Sequence, residues 1–177
     1  PNRRGLTGSA RLLQDIQQVD QFAFDTRERK LELSHTISLA RQAPIEFARF
    51  RESGVLPFST PMELFDRAFP GHYMRQVKRV KVSVIALVPA VSGIRATLTS
   101  SRISRIVIGP EIYQTVRIER GPEQVALTSA KDATGVLDLE PQSELLRPFE
   151  GIGVDSNWEF RMPRAANAFD FTTIADV

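Results

Sequence analysis

Beyond Phe69, apolar residues arrive in short runs separated by turn residues, and this rhythm constrains the fold more than any other feature. In "VKRVKVSVIALV", Val80, Val82, Val84, Ala86 and Val88 alternate with Arg79, Lys81, Ser83 and Ile85. A period of two with one charged side is the pattern of a strand with one wet face. Further runs follow: "IRATLTS", "ISRIVIG", "IYQTVRIE", "QVALT", "GVLDLE", "NWEFRMP" and "FDFTTIADV". Gly-Pro at 109–110 and 121–122, Gly135, Gly151 and Gly153 punctuate them. Seven or eight short strands at this spacing predict a mainly β fold, an antiparallel β-sandwich or barrel, with the sandwich as the expected form. The last run reaches Val177 without a turn signal, so its strand is expected to be cut short.

The residues before this region read differently. From Ser9 to Leu39 no Pro or Gly interrupts the chain, and Leu12, Ile16, Val19, Ala23, Thr26, Lys30, Leu33 and Ile37 step by four and three. That is a heptad seam with two polar members, and it predicts one long α-helix. Nothing else in the chain offers a partner helix, so the seam reads as half of a coiled coil, with an amphipathic helix packed on the β region as the alternative. Pro44 suits a first helical turn and Gly54 a left-handed cap, which predicts a short helix over "PIEFARFRES". "VLPFSTPMELF", with two prolines, reads as a linker. The expected division is a helical segment at 1–54, a linker at 55–68 and a β-sandwich domain at 69–177.

Composition excludes more than it selects. The 177 residues are 42% hydrophobic and 25% charged, ordinary for a globular chain. There is no cysteine, hence no disulfide framework, thiolate nucleophile or thiolate metal site. No apolar run approaches the roughly 18 residues of a membrane-spanning helix. A chain that opens at Pro1 reads as an excised or processed piece. Its net charge of +2 hides a gradient. Residues 1–53 hold nine Lys/Arg against seven Asp/Glu, 54–121 ten against four, and 122–177 four against ten. A basic part folding onto an acidic part is the simplest physical reading.

No constellation for catalysis stands out. The two histidines, His35 and His72, lack the spacing of a metal pair. No Gly-x-Ser-x-Gly elbow is present. "EGIGVDSNW" has Gly151 and Gly153 but no third glycine, so it reads as a turn or bulge before a strand, not as a dinucleotide loop. Asp132, Asp138, Glu140, Glu144, Glu150 and Asp155 are numerous, yet nothing in the sequence pairs two of them across a glycosidic bond. The basic run Arg75, Lys78, Arg79 and Lys81 is the one nucleic-acid candidate. Single-strand binders interleave several aromatics with such cations, and here Phe149, Trp158, Phe160, Phe169 and Phe171 fall in the acidic part instead. No cofactor, metal or enzymatic activity is expected.

"FPGHYMRQVKRV" then reads as the entry to the first sandwich strand. Pro70-Gly71 turns the chain, Tyr73 is expected to anchor the turn with a buried ring, and the cations coat the outer face.

Four blocks together carry a family resemblance. "LFDRAFPGHYMRQVKRVKVSV", "LLRPFEGIGVDSNWEFRMP" and "FDFTTIADV" resemble the C-terminal end of the A subunit of Tc (toxin complex) insecticidal toxins, and "RERKLELSHTISLARQAPIEFARFRESG" resembles the helical segment before it. The resemblance lapses between about Ser100 and Thr134, and the family continues past the point that matches Val177. It implies the TcB-binding domain of a large secreted toxin subunit, preceded by the end of a channel helix. Five such domains would form a funnel that seats a TcB–TcC cocoon, and the host membrane would be met only through the parent channel. The motif residues Phe69, Pro70, Gly71, His72, Tyr73, Arg75, Phe149, Gly151, Gly153, Trp158, Phe169 and Asp170 are expected to be structural. Partner-contacting residues are not legible, although the tips at 89–93, 110–113 and 130–135 are expected to be exposed. A carbohydrate-binding sandwich and a nucleic-acid module are the alternatives.

Overall fold

The computed structural model describes residues 11–13, 15–19, 30–86, 93–109, 111, 114–129, 136–141 and 148–177. Ser38 opens the first element of residues 36–177. Its backbone is extended and its Oγ accepts the Arg41 N–H at 3.3 Å, capping a one-turn helix, Leu39–Gln42. Pro44 occupies the first turn of the helix Pro44–Ser53, which buries Phe47 and Phe50. Gly54 ends that helix at φ 75°, and a Cβ there would lie 2.4 Å from the Met162 carbonyl oxygen. Conformation and close approach both demand glycine.

Eight strands follow among the described residues: β1 (Val55–Thr60), β2 (Val82–Ala86), β3 (Arg95–Val107), β4 (Thr115–Glu119), β5 (Gln124–Thr128), β6 (Val136–Pro141), β7 (Asp155–Arg161) and β8 (Ile174–Asp176). The fold is mainly β and every strand pair is antiparallel. The order is β1-β7-β3-β5-β6-β2-β8, with β4 on β3. β6 is the junction, pairing β2 through Val136–Leu139 and β5 through its last two residues. Val84, Leu137, Leu139 and Ile174 on one side of that junction share a single core with Leu56, Leu98, Leu127 and Phe160 on the other. Phe50 packs on Phe160 and Phe171, at centroid distances of 5.8 and 6.1 Å, and carries the helix Pro44–Ser53 into the same core.

The period-two reading holds over β2; 77–81, expected within the same strand, are not strand, and 87–88 lie outside the described residues. Val84 and Ala86 are buried, Val82 is half-buried, and Arg79, Lys81 and Ile85 are exposed. Three other expectations need correcting. The stretch 55–68, expected as a linker, carries β1 and the helix Met62–Ala68. Leu56 is fully buried, and Pro57 is tolerated because β1 pairs with β7 alone. "IRATLTS" and "ISRIVIG" form one strand, β3, with a bulge where four steps from Ser100 to Ser104 match two from Trp158 to Ser156. The shift is even, so side chains keep their faces, and Ser100, Ser104 and Ile106 stay buried.

The third correction concerns the long helix. Residues 11–13 and 15–19 are helical, 14 and 20–29 lie outside the described residues, and 30–38 contain no helix. Leu33 and Ile37 of the expected seam therefore sit in non-helical chain. Residues 1–35 and 36–177 are two separate units. Within the first, Leu12, Ile16, Val19 and Leu33 are exposed, and a helix without a packed face has little to sustain it. Within the second, Ile37 packs against the core and the Leu39 N–H bonds the Val177 carbonyl at 2.9 Å, so Ser38 must start a helix instead of continuing one.

Candidate functional site

The motif residues at 69–75 and 149–153 meet in space. Phe69-Pro70-Gly71-His72 has the form of a type II turn, with Gly71 at φ 75° and the His72 N–H directed at the Phe69 carbonyl at 3.4 Å. The chain leaving it zips onto the glycine-containing loop. Val77 donates to Ile152 and Gly151 to Val77, both at 2.8 Å, and Gln76 bridges Gly153. Gly153 in turn crosses β3, where its N–H donates to Ser104 Oγ at 2.9 Å.

Arg75 holds the turn. Its Nε donates to the His72 carbonyl at 2.6 Å, its Nη2 pairs with Asp66, and its Nη1 reaches Met62 Sδ at 3.6 Å. The side chain is only 12% exposed, so a cation grouped by sequence with a polyanion-binding run is spent on clamping the turn to the helix Met62–Ala68. His72 is similarly local: Nδ1 lies 3.0 Å from the Pro70 carbonyl and the ring stands edge-on to Phe69. Tyr73 departs from expectation. It is 44% exposed and does not anchor the turn, because Arg75 does so from within. Next to it Met74 adopts φ 54°, is exposed, and bonds the Val107 carbonyl through its N–H at 2.7 Å.

Phe149 and Trp158 are core residues, packed edge to face at 5.1 Å. The Trp158 Nε1–H donates to Thr60 Oγ1 at 3.0 Å, and that hydroxyl donates to the Val154 carbonyl at 2.7 Å. Phe169 and Asp170 are not brought to the others. Phe169 packs on Phe171 at 4.9 Å, and Asp170 caps a 3-10 turn, Phe171–Thr173, accepting the Thr172 N–H at 2.9 Å. The Thr172 side chain, then its amide, hold the Asp170 carboxyl below its ordinary pKa, and Arg164 adds to the effect.

The candidate carboxylates are dispersed. Asp138 accepts from Ser83 Oγ at 2.6 Å on the sheet containing β2, while Asp155 pairs with Arg105 at 3.0 Å on β3. Asp132 and Glu144 lie outside the described residues. Among the described residues no three His, Asp or Glu side chains are placed to hold a metal ion. An open depression of about 430 Å³ is lined by Glu46, Arg49, Glu52, Ser53, Val55 and Pro57. No helix among the described residues is long and apolar enough to cross a membrane. Of the expected loop tips, most of 89–93 and 110–113 and all of 130–135 lie outside the described residues.

The sequence marked both strands of the hairpin made by the distal half of β3 and β4, but not that Ile103, Ile108 and Val116 there are exposed. The visible signal was apolar residues at both parities in "ISRIVIG", which leaves one of them on the outer face whichever way the strand turns.

These features agree with what comparison with known proteins finds. Toxin subunit YenA2 of Yersinia entomophaga is 22% identical to this chain over 185 aligned residues, which cover 94% of the chain and 14% of that protein. The chain thus spans about a seventh of the length of the curated relative it matches. The profile of the Tc toxin complex TcA C-terminal TcB-binding domain matches residues 1–177, and the chain belongs to that family.

Proposed function

We propose that this chain is a non-enzymatic docking domain, the C-terminal part of a Tc toxin A subunit that seats a TcB–TcC cocoon. The carrying observation is the family match across all 177 residues. The site geometry supports it: the motif residues are spent on a turn, a strand crossing and an aromatic core, which leaves recognition to loops and strand edges. In this reading the sheet folds at β6 into a two-layered β-sandwich. Five copies in the full subunit form a funnel, and residues 1–35 belong to the end of a channel helix whose neighbours supply the missing seam. The toxin is secreted, and the host membrane is met through the parent channel.

The test is a binding measurement between the full-length, pentameric A subunit and the TcB–TcC component encoded beside it. Specific complex formation is expected. A folded pentamer that leaves the component unbound overturns the reading.

A further inference from the structure

Among the described residues the outer edge of β4 is open. The N–H of Ile108 bonds the Gln114 carbonyl at 2.7 Å and that of Arg120 bonds the Arg102 carbonyl at 2.9 Å. In the register Ile103↔Glu119, these place the even-numbered residues of β4 in hydrogen-bonded pairs with β3. The N–H and C=O groups of Thr115, Arg117 and Glu119 therefore point away from β3. Among the described residues nothing pairs with them.

The other two edges are closed off. β1 carries Pro57 in its middle, and Ser53 Oγ bonds both the N–H and the carbonyl of Val55. β8 has three residues, and the chain at 39–40 covers it through the Val177 carbonyl and the Asp176 carboxylate. β4 has no proline, no covering segment among the described residues, and a half-exposed Val116.

Its side chains are also poised for a partner. Arg117 stands directly across from Arg105, whose own charge is met by Asp155 at 3.0 Å. Arg102 and Arg117 share one carboxylate, Glu119, at 3.6 and 3.4 Å, which leaves surplus positive charge along the outer face. On the opposite face Val116 and Ile118 alternate with it.

We propose that β4 is a strand-acceptor edge: an extended segment of the docked TcB-class protein, alternating acidic and apolar side chains, adds to it and places a carboxylate against Arg117. The inference rests on the docking reading above and names the contact by which it works. Main-chain bonds to residues 115, 117 and 119 supply affinity, and the alternating side chains supply register.

The experiment uses the full-length A subunit and its TcB–TcC component. Arg117→Pro deletes an outward N–H while leaving the bonds of residues 116 and 118 to β3 in place. It is expected to weaken binding at least ~10-fold with the melting temperature of the subunit retained. Arg117→Glu is expected to weaken it about as much, and Arg117→Lys to restore most of the loss. Amide exchange at 115, 117 and 119 should slow in the complex. Wild-type affinity in both Arg117→Pro and Arg117→Glu, or unchanged exchange at 115, 117 and 119 in a formed complex, overturns strand addition and leaves docking intact. Protection of the 115, 117 and 119 amides already present in the subunit alone assigns the edge to a neighbouring copy and also overturns it. Failure of the wild-type subunit to bind the component at all sinks the docking reading itself.

Discussion

Gly153 passes over Arg105 so closely that a Cβ added to the glycine would lie 2.2 Å from the Arg105 carbonyl oxygen. The obstacle is backbone of β3, paired on both sides with β4 and β7, which has no flexible end to give way. Gly153→Ala is therefore expected to destabilise the fold by about 1–3 kcal/mol, read as a lower midpoint in denaturant unfolding. A midpoint unchanged from the wild type would show that the crossing is looser than described.

The Trp158 indole and the Thr60 hydroxyl form a buried relay ending on the Val154 carbonyl. Thr60→Val keeps the shape but leaves the indole N–H and the carbonyl unpaired, with an expected cost of about 1–3 kcal/mol. Trp158→Phe removes the donor, so the double variant should lose less than the two single losses together. Strict additivity in the double-mutant cycle would mean that the bond contributes nothing.

Arg75 should matter to stability where its sequence neighbours do not. Arg75→Gln breaks the tie between His72 and Asp66 and is expected to cost about 1–2 kcal/mol. Arg79→Gln and Lys81→Gln, on an exposed face, should stay within about 0.5 kcal/mol. Thermal melts of the three variants distinguish a clamp from a generic basic run, and equal shifts would contradict the clamp.

Asp170 gives a pH signature. Its folded pKa is lowered, so its ionised form stabilises the fold above the unfolded value, about 3.9, and that contribution fades as the pH falls through the lower folded value. Asp170→Asn cannot titrate. Melting temperatures taken from neutral pH downward should decline more steeply for the wild type below about pH 4 than for this variant. Parallel curves would remove the Thr172 cap as the cause.

Much of this fold was legible before any coordinates. The alternation from Val82 to Ala86 placed the inner and outer faces of β2, since a strand's side chains have no third direction to take. Pro44 and Gly54 bracketed a helix because each residue satisfies a local backbone demand. The site was legible in part: "FPGHYMRQV" and "EGIGV" stood out as turns, but that one zips onto the other is a contact between distant residues. The linker reading of "VLPFSTPMELF" failed for a similar reason. Prolines signal a break locally, whereas an edge strand accepts one on its unpaired side.

Sequence alone settled what depends on neighbours along the chain: the strand faces, the bracketed helix, the turns, and the lack of cysteine chemistry. Tertiary structure alone decided the choices that compare distant groups. It set which edge of the sheet stays open among the described residues, which arginine becomes a clamp, and that Leu33 and Ile37 of the expected seam lie in non-helical chain. Backbone dihedrals answer to local sterics, but the pairing of a strand edge or a guanidinium is won by whichever partner the closed core brings within reach.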